Sequence, residues 1–222
     1  MKARFWHERW ESNQLGFHQS EVNALLREYW PKLGAPAGAR VFVPLCGKSL
    51  DMHWLHDVGH EVVGVEISSI AIADFFSEAG IEATRTREGD FDRSVGGGFE
   101  LYCGDFFALA DSHLANVEAV YDRASLIALP EQMRARYAAH MTGILPEQVS
   151  TLLITVEYDQ TLMEGPPHSV SAEEVEDLFG TAFSIDRLWT SGAVAPSERF
   201  RERGLDAWSE TVWRLSRGDA QR

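Results

Sequence analysis

Glu66 and the turn around Gly47 carry the residue types and spacing that could do chemistry together. The acid follows the glycine at close to the ~20-residue interval at which nucleotide-binding α/β folds set a carboxylate against ribose hydroxyls. An acid so placed reads a sugar. Taken alone, the same residues also fit a solvated acid at a strand end and an ordinary turn, and their types do not choose between these.

Phosphate readings of the turn fail. A dinucleotide site would carry G-x-G-x-x-G, so that backbone and helix N-terminus approach a pyrophosphate; Pro44, Leu45 and Cys46 fill that space here. Gly47-Lys48-Ser49 matches the end of G-x-x-x-x-G-K-[ST], but Phe42 stands where its first glycine belongs. A nucleoside-type ligand without a pyrophosphate remains, and S-adenosylmethionine is the leading candidate.

The elements that must position these residues lie in 41–66: an apolar run (41–43), a turn (44–49), a helical pattern passing Gly59, and a second apolar run (62–65) ending on Glu66. In a right-handed βαβ unit the strands are parallel, so turn and acid meet at one carboxyl edge. Further strands are predicted at 99–103, before Gly104-Asp105-Phe106, and at 117–121, before Asp122-Arg123. The apolar run 152–156 reads as a strand covered on both faces. Asp105 can accept from an exocyclic amino group while Ile67 and Phe106 cover the faces of an adenine.

Ser20 is expected to cap a helix that turns Val22, Leu25, Leu26, Tyr29 and Trp30 inward and ends at Pro31. Ser69 opens a helix stopped by Gly80, and Pro130 one stopped by Gly143; Ser171 and Glu174 have capping-box spacing. Residues 81–98 read as a polar insertion, an irregular hairpin. Two terminal strands, 183–189 and 207–215, flank the charged run 198–203. This alternation predicts one three-layer α/β domain over 1–222, with 1–35 an N-terminal arm and helix covering the site.

The formal net charge of −14 disfavours a nucleic-acid partner, which needs lysines and arginines against phosphates. No apolar run nears the ~20 residues that span a bilayer, and MKARFWHERW lacks the apolar core of a signal peptide. A cytoplasmic protein without membrane attachment is expected, with Cys46 and Cys103 as thiols.

Six blocks carry a resemblance: Phe5 to Trp10 with Gly16-Phe17-His18-Gln19; Val43-Pro44-Leu45-Cys46-Gly47-Lys48; Val62-Val63-Gly64-Val65-Glu66-Ile67-Ser68; Leu101-Tyr102-Cys103; Tyr121-Asp122-Arg123; and Gly165-Pro166-Pro167. In this order, over nearly the whole chain, they resemble the thiopurine S-methyltransferase family, particularly its bacterial form. The resemblance implies a Rossmann-like methyltransferase fold, with a mostly parallel seven-stranded sheet and a terminal strand inserted antiparallel. It implies S-adenosylmethionine as cofactor and S-methylation of thiopurines and related aromatic thiols, with selenium and tellurium compounds as further acceptors.

Some residue roles follow from the same resemblance, others from the strand ends that converge on one edge. Trp10, Leu45, Glu66 and Arg123 are implied cofactor contacts, Arg123 facing the methionine carboxylate as its planar fork allows. Gly47, Ile67, Asp105 and Phe106 complete the expected cofactor set. Phe17 is expected to stack on a planar acceptor, His18 to donate to it, and Arg199 to match the family's C-terminal active-site arginine. Arg123 and Arg199 are the catalytic candidates, as cations favouring an acceptor thiolate. By its residues alone, Arg123 also fits an ion pair with Asp122 or Asp105, and Trp10 fits core packing. In-line transfer of a sulfonium methyl rests on alignment and requires neither an acid–base dyad nor a metal. The expected partner is a small-molecule thiol, and the expected state a monomer.

Other patterns are incomplete. His53 and His56 lack a third ligand, His7-Glu8 lacks the second histidine of H-E-x-x-H, and no serine sits in G-x-S-x-G. The alternatives that remain are a thiol or halide methyltransferase of the same superfamily, a nicotinamide-dependent oxidoreductase, and a noncatalytic cofactor-binding module.

Overall fold

Alternate side chains of β1 (Arg40–Val43) enter two apolar layers: Phe42 joins one, Val41 and Val43 the other. β2 (Glu61–Glu66) repeats the division, with Val63 and Val65 in the first layer and Val62 in the second. After α1 (Ala3–Glu11), helices α2 (Ala24–Leu33), α3 (Leu50–Asp57) and α4 (Ser69–Glu78) fill the Val41 layer; α5 (Glu131–Ile144) and α6 (Ala172–Phe179) fill the Phe42 layer. The structure is a computed structural model and describes residues 3–13 and 18–217.

The remaining strands are β3 (Thr84–Glu88), β4 (Phe91–Gly96), β5 (Phe99–Cys103), β6 (Val117–Arg123), β7 (Val149–Glu157), β8 (Ser184–Thr190) and β9 (Ser209–Arg217). One sheet holds them in the order β3-β4-β5-β2-β1-β6-β7-β9-β8. The five strands from β5 to β7 are parallel, and β9 lies antiparallel between β7 and β8. These seven match the implied sheet, mostly parallel with the last strand inserted antiparallel. The sheet is wider by two strands, because 81–98 forms a regular hairpin: β3 pairs with β4 and β4 with β5. Phe91 anchors it, edge-on to Tyr102 at 5.7 Å. Exposed β3, TRTRE, guards the sheet edge with charge.

Helix ends depart from the expected ones for local reasons. Asn23, not Ser20, caps α2: its Oδ1 accepts from the amides of Leu25 and Leu26, while its own amide donates to Asp51 Oδ1 at 2.8 Å. Pro31 lies inside the last turn, and the stop is Gly34 at φ +75°. In α5, Pro130 is the cap; Gly143 sits within the helix, and Pro146 forces Leu145 into extended backbone. Ser171 Oγ accepts from the Glu174 amide at 3.1 Å, but the Glu174 carboxylate pairs with Arg134 instead of returning to the cap. The charged run folds into a short helix, α7 (Glu198–Arg201). No helix among the described residues is long and apolar enough to cross a membrane.

Candidate active site

The turn after β1 and the end of β2 are tied to their neighbours by hydrogen bonds to main-chain carbonyls. The Cys46 amide donates to Val65 O at 3.0 Å, the Gly104 amide to Glu66 O at 2.9 Å, and Ser125 Oγ to Pro44 O at 2.6 Å. Leu45 takes φ +45° and Gly47 φ +53°, a reversal that aims the Gly47 amide at the end of β2. A Cβ on Gly47 would stand 3.3 Å from the Trp10 ring, and one on Gly64 would stand 2.8 Å from Cys46 Sγ. Both glycines are fixed by close approach. Ser49 Oγ then caps α3.

Glu66 is buried, and each carboxylate oxygen accepts one amide: Oε2 from Gly47 at 3.0 Å, Oε1 from Ser68 at 2.8 Å. Burial pushes its pKa up, and these amides oppose the shift. Each oxygen keeps a lone pair for a further donor. Below the turn, the thiol of Cys46 is held protonated by burial and by the Glu66 charge. Cys103 is also a free thiol, its Sγ 3.9 Å from Ile67 O.

Arg123 ends β6 and is largely covered, its Nη1 3.9 Å from Asp51 Oδ2. The acid beside it is thus neither Asp122 nor Asp105, the two that its neighbours in sequence offer. Asp122 turns away, taking Tyr137 Oη at 2.7 Å and the Leu126 amide, and burial raises its pKa to about 6. Asp51 is buried under Arg123 and also accepts from Tyr121 Oη at 2.9 Å. Ala124, at φ +62°, turns the chain beyond the arginine.

A cavity of about 420 Å³ opens at this edge. Trp10, Leu45, Gly47, Glu66, Ile67 and Arg123 line it, and so does His18, whose pKa is lowered by burial and then by the Lys48 charge. Asp105 and Phe106 stand outside the lining. Asp105 Oδ1 accepts the Phe107 amide, and Phe106 folds back to stack on Tyr137 at 4.8 Å between centroids. Phe17 lies outside the described residues; Arg199 falls in α7, its side chain outside them.

Several lining residues were not among those expected. Asn23 reaches the cavity from the cap of α2, Arg203 from the chain after α7, and Trp208 and Glu210 from β9 and its approach. Arg203 donates to the carbonyls of Gly165 and Pro166 at 3.2 and 3.1 Å, joining that run to the proline turn. Its sequence signal was the charged run itself. Glu210 has none, because its place depends on the pairing of β9 with β7. His53, by contrast, stacks on Phe75, and no group of metal-ligating side chains occurs among the described residues.

The donor set suits a sulfonium nucleoside: a buried acid with free lone pairs, an aromatic wall at Trp10, and a cation at Arg123 for a carboxylate. Comparison with known proteins agrees. A family model described as thiopurine S-methyltransferase matches residues 1–218. The chain is 47% identical to a thiopurine S-methyltransferase of Pseudomonas fluorescens, covering 97% of this chain and 99% of the relative. It is 46% identical to one of Methylococcus capsulatus, with 97% of each covered.

Among solved structures, a SAM-dependent methyltransferase of Anabaena variabilis superposes at TM-score 0.68 and 13% identity, covering 97% of this chain and 95% of that one. The 1,6-didemethyltoxoflavin-N1-methyltransferase of Burkholderia thailandensis, solved with S-adenosylhomocysteine, gives 0.64 at 14%, covering 98% and 87%. Such likeness shows the fold. Family and fold together make this protein an S-adenosylmethionine-dependent methyltransferase, and the chain belongs to the thiopurine S-methyltransferase family.

Proposed function

We propose that the chain methylates the sulfur of thiopurines and related aromatic or heterocyclic thiols, and that selenium and tellurium compounds serve as further soft acceptors. The observation that carries this reading is one cavity with two unlike ends. Backbone-held Glu66 closes one; Ile154, Val156, Pro166, Pro167, Phe200 and Trp208 wall the other. When bound, S-adenosylmethionine supplies an electrophilic methyl group.

The residues do the positioning. Glu66 accepts the ribose hydroxyls, while Trp10, Leu45, Gly47 and Ile67 enclose the nucleoside. Asp105 and Phe106 are proposed at the adenine end, beyond the cavity lining. Arg123, already beside Asp51, holds a carboxylate and, with Arg199, favours the thiolate form of acceptors that ionise at sulfur. Phe17 and His18 belong to the arm that covers the acceptor, within the 1–35 segment of a single domain. The apolar walls of the acceptor end strengthen the electrostatic contacts made beside them. A cytoplasmic monomer acting on a small molecule completes the proposal.

A panel of acceptors tests it. Thiopurine and arenethiol are expected to exceed hydrosulfide and iodide in kcat/KM by ~10²-fold or more, because only planar acceptors fill the apolar end. Inorganic anions outcompeting them would instead support a thiol or halide methyltransferase.

A further inference from the structure

One acid at the acceptor end is unused by the mechanism above. Register places Glu210 of β9 opposite Val156 of β7, and Arg123 of β6 opposite Ile154 of β7. All four line the cavity, with Trp208 two residues before the acid. The Glu210 amide is held by Ser191 Oγ at 2.9 Å, while no hydrogen bond or ion pair from a described residue engages its carboxylate. Burial among apolar walls pushes the carboxyl pKa upward; the Arg123 charge pulls it back without cancelling the shift. A carboxylate at the acceptor end whose basicity burial raises is suited to remove a proton.

Heteroaromatic thiols pose that need. In their thione form the proton sits on a ring nitrogen beside C=S, and the S-methyl product no longer carries it. We propose that Glu210 is the base that takes this ring N–H proton as the sulfur is methylated, which makes it a determinant of specificity for N–H thiones over simple arenethiols. The inference rests on the S-methylation reading above. In the step, the thione π pair forms the new S–CH3 bond and the sulfonium sulfur keeps the pair of the bond that breaks. The N–H pair becomes the ring C=N bond, and the proton ends on Glu210. Sulfonium cation, neutral thione and carboxylate give three neutral products, so charge balances.

The test compares 6-mercaptopurine, which has ring N–H groups, with thiophenol, which has none, in wild type and Glu210→Gln. The glutamine variant is expected to lose ~10²-fold in kcat/KM on 6-mercaptopurine and less than ~3-fold on thiophenol, with cofactor affinity unchanged. Equal losses on both probes, or none on 6-mercaptopurine, would overturn the proposal. Wild type failing on both probes would instead overturn the thiol reading itself. If Glu210→Gln does not bind cofactor, Glu210→Asp is measured on the same probes. There the same selective loss is expected, and a uniform loss again contradicts the role.

Discussion

The two ends of the cavity are built differently. At the β1–β2 end the frame is backbone: the Gly47 and Ser68 amides fix Glu66, and Leu45 and Gly47 at positive φ shape the turn after β1. At the other end, side chains from β6, β7 and β9, the proline turn and the α7 region form the wall. A backbone-built end cannot change without moving the sheet. Side chains can be exchanged one at a time, so on the proposed assignment cofactor recognition is set by the fold while acceptor choice is added to it.

Substitutions can break or sharpen that contrast. Glu66→Ala strips two buried amides of a charged acceptor, each bond worth ~1.5–3 kcal/mol, and removes the proposed ribose contact. Cofactor affinity by calorimetry is expected to fall ~10³-fold; wild-type affinity would dissolve the contrast. Arg199→Ala is expected to lower kcat ~10²-fold with cofactor Kd held within ~3-fold. Loss of cofactor binding would move this residue to the other end.

Smaller effects should separate the same way. Gly47→Ala puts a Cβ at φ +53° and 3.3 Å from Trp10, a strain of ~1–2 kcal/mol. Cofactor binding should weaken ~10-fold while the acceptor KM holds; a changed KM alone would show that the turn serves the acceptor. Arg203→Ala breaks two exposed hydrogen bonds to the proline turn, so acceptor KM should rise only ~3-fold. A cofactor defect in that variant would show that the α7 region reaches both ends.

What is legible in the sequence follows from which contacts are local. The strand, turn, helix and strand from 41 to 66 are written in one continuous pattern, so Glu66 and Gly47 can be paired by counting. Asn23 competes with Ser20 for the cap of α2, and what decides is a bond from its amide to Asp51, distant in the chain. By its residues alone Arg123 also fits an ion pair with Asp122 or Asp105, yet Tyr137 of α5 holds Asp122 and Asp51 is the acid beside the arginine. Glu210 is the extreme case. Only the insertion of β9 between β7 and β8 brings it to the cavity, and no local pattern records that pairing.

The most direct measurement follows methyl-labelled S-adenosylmethionine with 6-mercaptopurine, with a no-acceptor control and identification of the methylated atom. Label on sulfur, dependent on the acceptor, is the predicted result. Tight cofactor binding without transfer, or label on a ring nitrogen, would contradict the assignment of the apolar end to a sulfur acceptor.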